Sequence, residues 1–159
     1  MKKIITLLML VTVAFVNAQA FKGKGDVKAQ VGGNFQSGAS GINVSADFGI
    51  GENMSYGFVG TYLLSENTAN LDFKDRVDLR ARFNANIGKV LTLPDNVDVY
   101  PGLDLGLKNF GAHLGVRYFF SDGFGLYSEA GIPIAKFDKD QVINTHNQFV
   151  FNVGVSFNL

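Results

Sequence analysis

The chain has 159 residues, room for one domain and hardly two, and with 47% hydrophobic residues, 18% charged residues and 19 Gly it is too apolar for a disordered polymer. No Cys is present, which excludes a disulfide framework, a thiolate metal site, a Cys nucleophile and a lipid anchor on an N-terminal Cys. Fourteen Lys and Arg balance fourteen Asp and Glu, so there is no basic field to attract nucleic acid.

Met1 to Ala20 opens with Lys2 and Lys3, runs apolar from Ile4 to Val16 and ends in small residues. That is the layout of a secretory signal peptide, with cleavage after Ala18 or Ala20 both fitting. Its apolar run of about 13 residues falls short of the roughly 20 that a spanning helix needs. Residues 21–159 are then the exported domain, and loss of Lys2 and Lys3 leaves 12 basic against 14 acidic side chains, a net charge of −2.

From Val27 onward the apolar period is two. Val27, Ala29, Val31 and Phe35 alternate with Lys28, Gln30, Gly32 and Asn34; then Ile42, Val44, Ala46, Phe48 and Ile50 alternate with Asn43, Ser45, Asp47 and Gly49. The spacing predicts two strands joined at Ser37 to Ser40. Six more runs follow, over Tyr56–Leu64, Val77–Ile87, Val97–Leu107, Ala112–Phe120, Phe124–Ile134 and Phe149–Phe157. Each is about ten residues, the length that a tilted strand needs to cross hydrocarbon. Short turns are expected at Gly51 to Met54, Thr92 to Asn96 and Ser121 to Gly123. The longest links, Glu66 to Arg76 and Lys136 to Asn147, fall on the other side. This is the pattern of an eight-stranded antiparallel up-and-down transmembrane β-barrel, an all-β fold in which the last strand pairs with the first and removes both sheet edges.

Alternation alone also suits a soluble lipocalin-like barrel carrying an apolar ligand. Glycine placement favours the membrane form: Gly32, Gly49, Gly57, Gly102, Gly106, Gly115, Gly125, Gly131 and Gly154 share the register of the charged residues. In a narrow lumen they leave room for Arg and Tyr side chains, whereas on a wet face they only weaken strands. Tyr56, Tyr62, Tyr118, Phe120, Phe124 and Phe149 sit near strand ends on the apolar face, as interfacial girdles do.

The stretch GAHLGVRYFFSDGFGLYSEAGIPIAKF (Gly111 to Phe137), followed by the terminal strand FVFNVGVSFNL, resembles the last two hairpins of the small outer-membrane β-barrel proteins of Bacteroidetes, related in architecture to OmpA and OmpX barrels. Arg117-Tyr118-Phe119-Phe120 and Glu129-Ala130-Gly131 carry the specific wording. The resemblance implies a bacterial outer-membrane location, surroundings of outer-membrane lipid and lipopolysaccharide, and assembly by the barrel-insertion machinery. The chain ends Phe157-Asn158-Leu159 rather than in a final Phe.

The inward register holds Lys28, Arg80, Arg82 and Arg117 against Asp47, Asp78, Asp98, Asp104 and Glu129, with His113 among them. Buried charges cost several kcal/mol each unless paired, so a balanced set points to an ion-pair network that closes the lumen. A turn centred on Leu93 sets Arg82 opposite Asp104. One centred on Lys108 to Asn109 sets Asp104 against His113 and Tyr100 against Arg117, and one centred on Asp122 sets Arg117 against Tyr127, with Glu129 on the diagonal.

No catalytic, cofactor or metal site is expected. His113 invites a triad with Ser128 or Ser45, but Ser128 falls in the outward register and no Gly-x-Ser-x-Gly elbow exists. His146, in a long loop, is expected to be solvated. Asp138-Lys139-Asp140 lacks the spacing and trailing Glu of a calcium loop, and Gly123-x-Gly125 and Gly49-x-Gly51 lack the third glycine of a nucleotide fingerprint. The expected role is structural or surface-interacting, through an extracellular partner at loops 66–76 and 136–147. A small pore, an outer-membrane enzyme and the soluble carrier are the alternatives.

Overall fold

The computed structural model describes residues 18–64, 72–137 and 145–159. Most of the expected signal peptide, part of each long loop and the Asp138-Lys139-Asp140 cluster lie outside them. Eight strands form a closed barrel in sequence order: β1 Val27–Gln36, β2 Ala39–Gly49, β3 Met54–Leu63, β4 Val77–Ala85, β5 Val97–Gly106, β6 Asn109–Phe119, β7 Phe124–Lys136 and β8 Val150–Asn158. A single helical turn, α1 (Phe73–Arg76), precedes β4. Every seam is antiparallel, and β8 pairs with β1 from Lys28 opposite Asn158 to Gln36 opposite Val150, which closes the sheet.

The period of two places the side chains as the alternation requires. Phe58, Leu79, Phe83, Leu105, Ile132 and Phe151 face outward and are exposed, Phe58 at 59%. Lys28, Gln30, Asp47, Arg82, Tyr100 and Arg117 face inward and are buried. Tyr118, Phe120, Phe124 and Phe157 form a chain of ring contacts at one end of the sleeve, and Tyr62 meets Phe73 at the other. Inward apolar residues are few among the described ones. Val59, Leu63 and Phe119 are buried, with Phe119 packed against Ala18 and Ala20.

The connections depart from the expected contrast of short and long ends. Residues 18–26 and the links Ile50–Asn53, Asn86–Asn96 and Phe120–Gly123 share one end, here the near end. The β4–β5 link there is eleven residues, not a short turn at Thr92 to Asn96, because strand pairing stops at Ala85 and residues 87–93 wind into a turn. At the far end β1–β2 and β5–β6 are joined by two residues each, Ser37–Gly38 and Leu107–Lys108, beside the two long loops.

Candidate functional site

The lumen gathers the charged residues that the alternation points inward. Asp47 on β2 is its centre. Arg82 on β4 donates from Nε to Asp47 Oδ1 (2.6 Å) and from Nη2 to Asp47 Oδ2 (2.6 Å), the bidentate fork that suits a guanidinium. Arg117 on β6 donates from Nη2 to the same Asp47 Oδ2. Arg82 also donates from Nη1 to Glu129 Oε2 (2.9 Å) and from Nη2 to Gln30 Oε1 and Ser45 Oγ (3.0 Å each). The Arg117 guanidinium carbon lies over Tyr100, 3.8 Å from the ring centroid. Two cations and two carboxylates, tied by hydrogen bonds across four strands, fill the middle of the tube.

Gly115 makes the stacking possible. A Cβ there would lie 2.0 Å from Tyr100 Cζ on the neighbouring strand, so the phenol occupies the volume that any other side chain would fill. Gly102 does the same for His113, whose imidazole would lie 2.5 Å from an added Cβ.

The other charges form separate groups. His113 bridges Asp104 Oδ2 (2.7 Å, through Nδ1) and Asn84 Oδ1 (2.9 Å, through Nε2). Arg80 Nε donates to Asp78 Oδ2 (2.5 Å) on its own strand. Lys28 Nζ donates to both Asp26 oxygens (2.6 and 2.5 Å) and sits 5.4 Å from the centroid of Phe119. Among the described residues no cation lies within ion-pair distance of Asp98, which accepts from Asn86 Nδ2 (2.7 Å) and Gly88 N (3.2 Å). The nine residues Lys28, Asp47, Arg80, Arg82, Asp98, Asp104, His113, Arg117 and Glu129 are therefore all in the lumen, but as several clusters rather than one network.

The pairing follows the turns. Arg82 lies opposite Asp104, and Arg117 opposite Tyr127. The middle hairpin is corrected by two: His113 lies opposite Gly102 and Arg117 opposite Asp98, because the turn is Leu107–Lys108 and not Lys108–Asn109. Moving a turn by one residue moves each partner by two and keeps the face. His113 still reaches Asp104, and Arg117 reaches Tyr100, on the diagonal.

His146 is the larger correction. It is 1% exposed, not solvated, and Thr145 and Asn147 are buried with it, so the end of the β7–β8 loop turns into the far mouth. Asn109 Nδ2 donates to His146 O (2.7 Å) and Asn147 Oδ1 (3.0 Å), and His146 N donates to Gln36 Oε1 (2.8 Å). The backbone of His146 is in the left-handed region at φ 63°. Burial lowers its pKa to about 4; Asp78 opposes the drop and Lys108 and Arg80 add to it.

Gln30, Ser45, Asn84 and Asn86 carry no charge, yet they tie the charged groups together. They share the inward parity, and that was the available signal. Asp26 precedes β1 but keeps its inward parity, two residues before Lys28.

A closed eight-stranded barrel with charged groups inside and an apolar sleeve outside has the build of an outer-membrane β-barrel, and solved structures of that kind share the fold. The N-terminal β-barrel domain of Pseudomonas aeruginosa OprF is similar at 11% identity and a TM-score of 0.57, covering 87% of this chain and all of that domain. Outer Membrane Protein G from Pseudomonas aeruginosa, solved by NMR, is similar at 8% identity and a TM-score of 0.52, covering 87% and 99%. A structure from the de novo design of transmembrane β-barrels is similar at 10% identity and a TM-score of 0.56, covering 87% and 98%. The chain itself belongs to the family described as Family of unknown function (DUF6646), whose model matches residues 11–159. No curated protein matches it significantly.

Proposed function

We propose that the protein is an integral outer-membrane β-barrel whose lumen is closed by ion pairs, and whose far-end loops, 66–76 and 136–147, carry a structural or surface-interaction role. The observation that carries this reading is the inverted polarity of the barrel. Asp47, Arg82 and Arg117 are buried at the axis while Phe58, Leu79, Phe83 and Leu105 are exposed around the outside. In water such a sleeve aggregates. In hydrocarbon a closed barrel satisfies every strand hydrogen bond internally and offers lipid the apolar side. The near end then faces the periplasm, outer-membrane lipid and lipopolysaccharide surround the sleeve, and the barrel-insertion machinery assembles it after export.

The soluble-carrier alternative needs the apolar residues around the lumen, and here the lumen is lined by charge. The pore alternative needs an aqueous path through the plane that Asp47, Arg82, Arg117 and Tyr100 fill. His113 is committed to Asp104 and Asn84, which supports a structural rather than a catalytic role. The test is membrane fractionation with electrophoresis of unboiled and boiled samples. The protein is expected in the outer-membrane fraction with a band that shifts on boiling; recovery in buffer without detergent, or an unchanged band, overturns the reading. Planar bilayers are expected to show no steady conductance, and stable single-channel steps would replace the closed lumen with a pore.

A further inference from the structure

At the near end, three segments distant in sequence meet around a cleft of about 430 Å³ lined by Lys22, Lys24, Glu52, Asn53, Lys89 and Val90. Their backbones are tied down. The turn carrying Lys22 and Lys24 has Gly23 and Gly25 at φ 94° and 86°, and is fastened by Gly25 N to Gly49 O (2.9 Å) and Asp26 N to Gly23 O (3.1 Å). Lys89 sits in the turn closed by Leu91 N to Ile87 O (2.9 Å) and Thr92 N to Lys89 O (3.1 Å).

Apart from the exposed Lys136, the basic side chains described outside this cleft are partnered. Among the described residues, the side chains of Lys28, Lys74, Lys108, Arg76, Arg80, Arg82 and Arg117 each meet an acid or a carbonyl. Among the described residues Lys22, Lys24 and Lys89 make no ion pair, and Glu52, the one acid lining the cleft, bridges none of them. Three cations against one anion, held on fixed turns, repel one another unless an anion joins them. Beside them Val90 and Leu91 project into solvent, 64% and 51% exposed. A basic cleft with an apolar tip at its edge has the chemistry of a lipid interface, where cations meet headgroups and aliphatic side chains enter the acyl boundary.

We propose that this cleft binds the phosphate of an anionic phospholipid in the near leaflet, with Val90 and Leu91 seated among the acyl chains beside it. The inference rests on the membrane reading above. The apolar tip favours a lipid over an anionic wall polymer, and the surplus of two positive charges favours an anionic headgroup over a zwitterionic one.

The test uses the folded chain in neutral detergent micelles, titrated with phosphatidylglycerol or phosphatidylcholine, with retained lipid read by native mass spectrometry. Phosphatidylglycerol is expected to be retained in preference. Each lysine replaced by Gln should weaken retention by roughly fivefold, and Lys22→Gln, Lys24→Gln and Lys89→Gln together by about 100-fold. Equal retention of the two lipids, equal retention by the triple variant, or preferential binding of a soluble peptidoglycan fragment overturns the proposal. So does binding of inorganic phosphate without a lipid preference. A boiling-dependent band shift, measured on both proteins, separates the two readings: a shift with no lipid preference sinks only the cleft, whereas its absence from the unaltered chain removes the membrane reading and the cleft with it.

Discussion

One carboxylate, Asp47, serves two guanidinium groups; its loss leaves the buried Arg117 with no acid and takes from Arg82 its bidentate partner, with Glu129 remaining. Breaking such an arrangement costs about 3–5 kcal/mol, far more than an exposed pair. Asp47→Ala should lower the urea midpoint of the folded barrel in micelles accordingly, read by circular dichroism; a loss below about 1 kcal/mol would mean that the cations find other partners. His146 makes a prediction about acid. Freed from the mouth its ring returns to its ordinary 6.5, while burial holds it at about 4 in place. The seated form therefore binds fewer protons than the released one. Its stability is intact above pH 6.5 and is lost progressively as the pH falls toward 4. An NMR titration should place the His146 ring near 4, and His146→Gln should remove the acid release of Thr145 to Asn147; a midpoint near 6.5 would show a solvated ring. The inward residues were legible because parity in a strand dictates a face. His146 was not, because a loop has no period and its burial depends on Gln36 and Asn109, on strands remote in the chain.

The seams are not equal. β4 and β5 pair over five residues, Arg80–Asn84 against Gly102–Gly106, whereas the other seams pair over eight to eleven. Pro101 accounts for part of this. Leu107 N donates to Leu79 O and Ile87 N to Val99 O, so odd residues of β5 bond toward β4, and Pro101 has no N–H to give Ala85. Hydrogen exchange should find the amides along β4–β5 the first to exchange among the strands. Protection there equal to that of β6–β7 would contradict the account. All eight strands could be read from alternation, but their ends could not. Where β4 stops depends on its partner's proline, and the β5–β6 register depends on which two residues turn.

The polarity of the whole barrel is inverted relative to a soluble one, and this can be tested by moving a charge across the wall. Phe58, midway along β3, faces out, and Gln30 faces in. Phe58→Arg should cost about 2–4 kcal/mol in lipid vesicles, the penalty for a cation at the bilayer midplane. The same substitution in water-soluble conditions would be harmless or helpful if the barrel were soluble. The outline of the fold was readable from the sequence because the alternation of apolar and polar residues imposes one rule on every strand. The near-end cleft was not, since Lys22, Lys24 and Lys89 are brought together only by closure.

The fit of Tyr100 into the space left by Gly115 bears on how the tube is put together. A hairpin that slipped by one pleat would keep its faces, so hydrophobic sorting could not detect the mistake. The phenol would then meet the imidazole of His113 or the long chain of Arg117 instead of an empty notch. Shape thus distinguishes the native alignment from one slipped by a pleat, where polarity is blind.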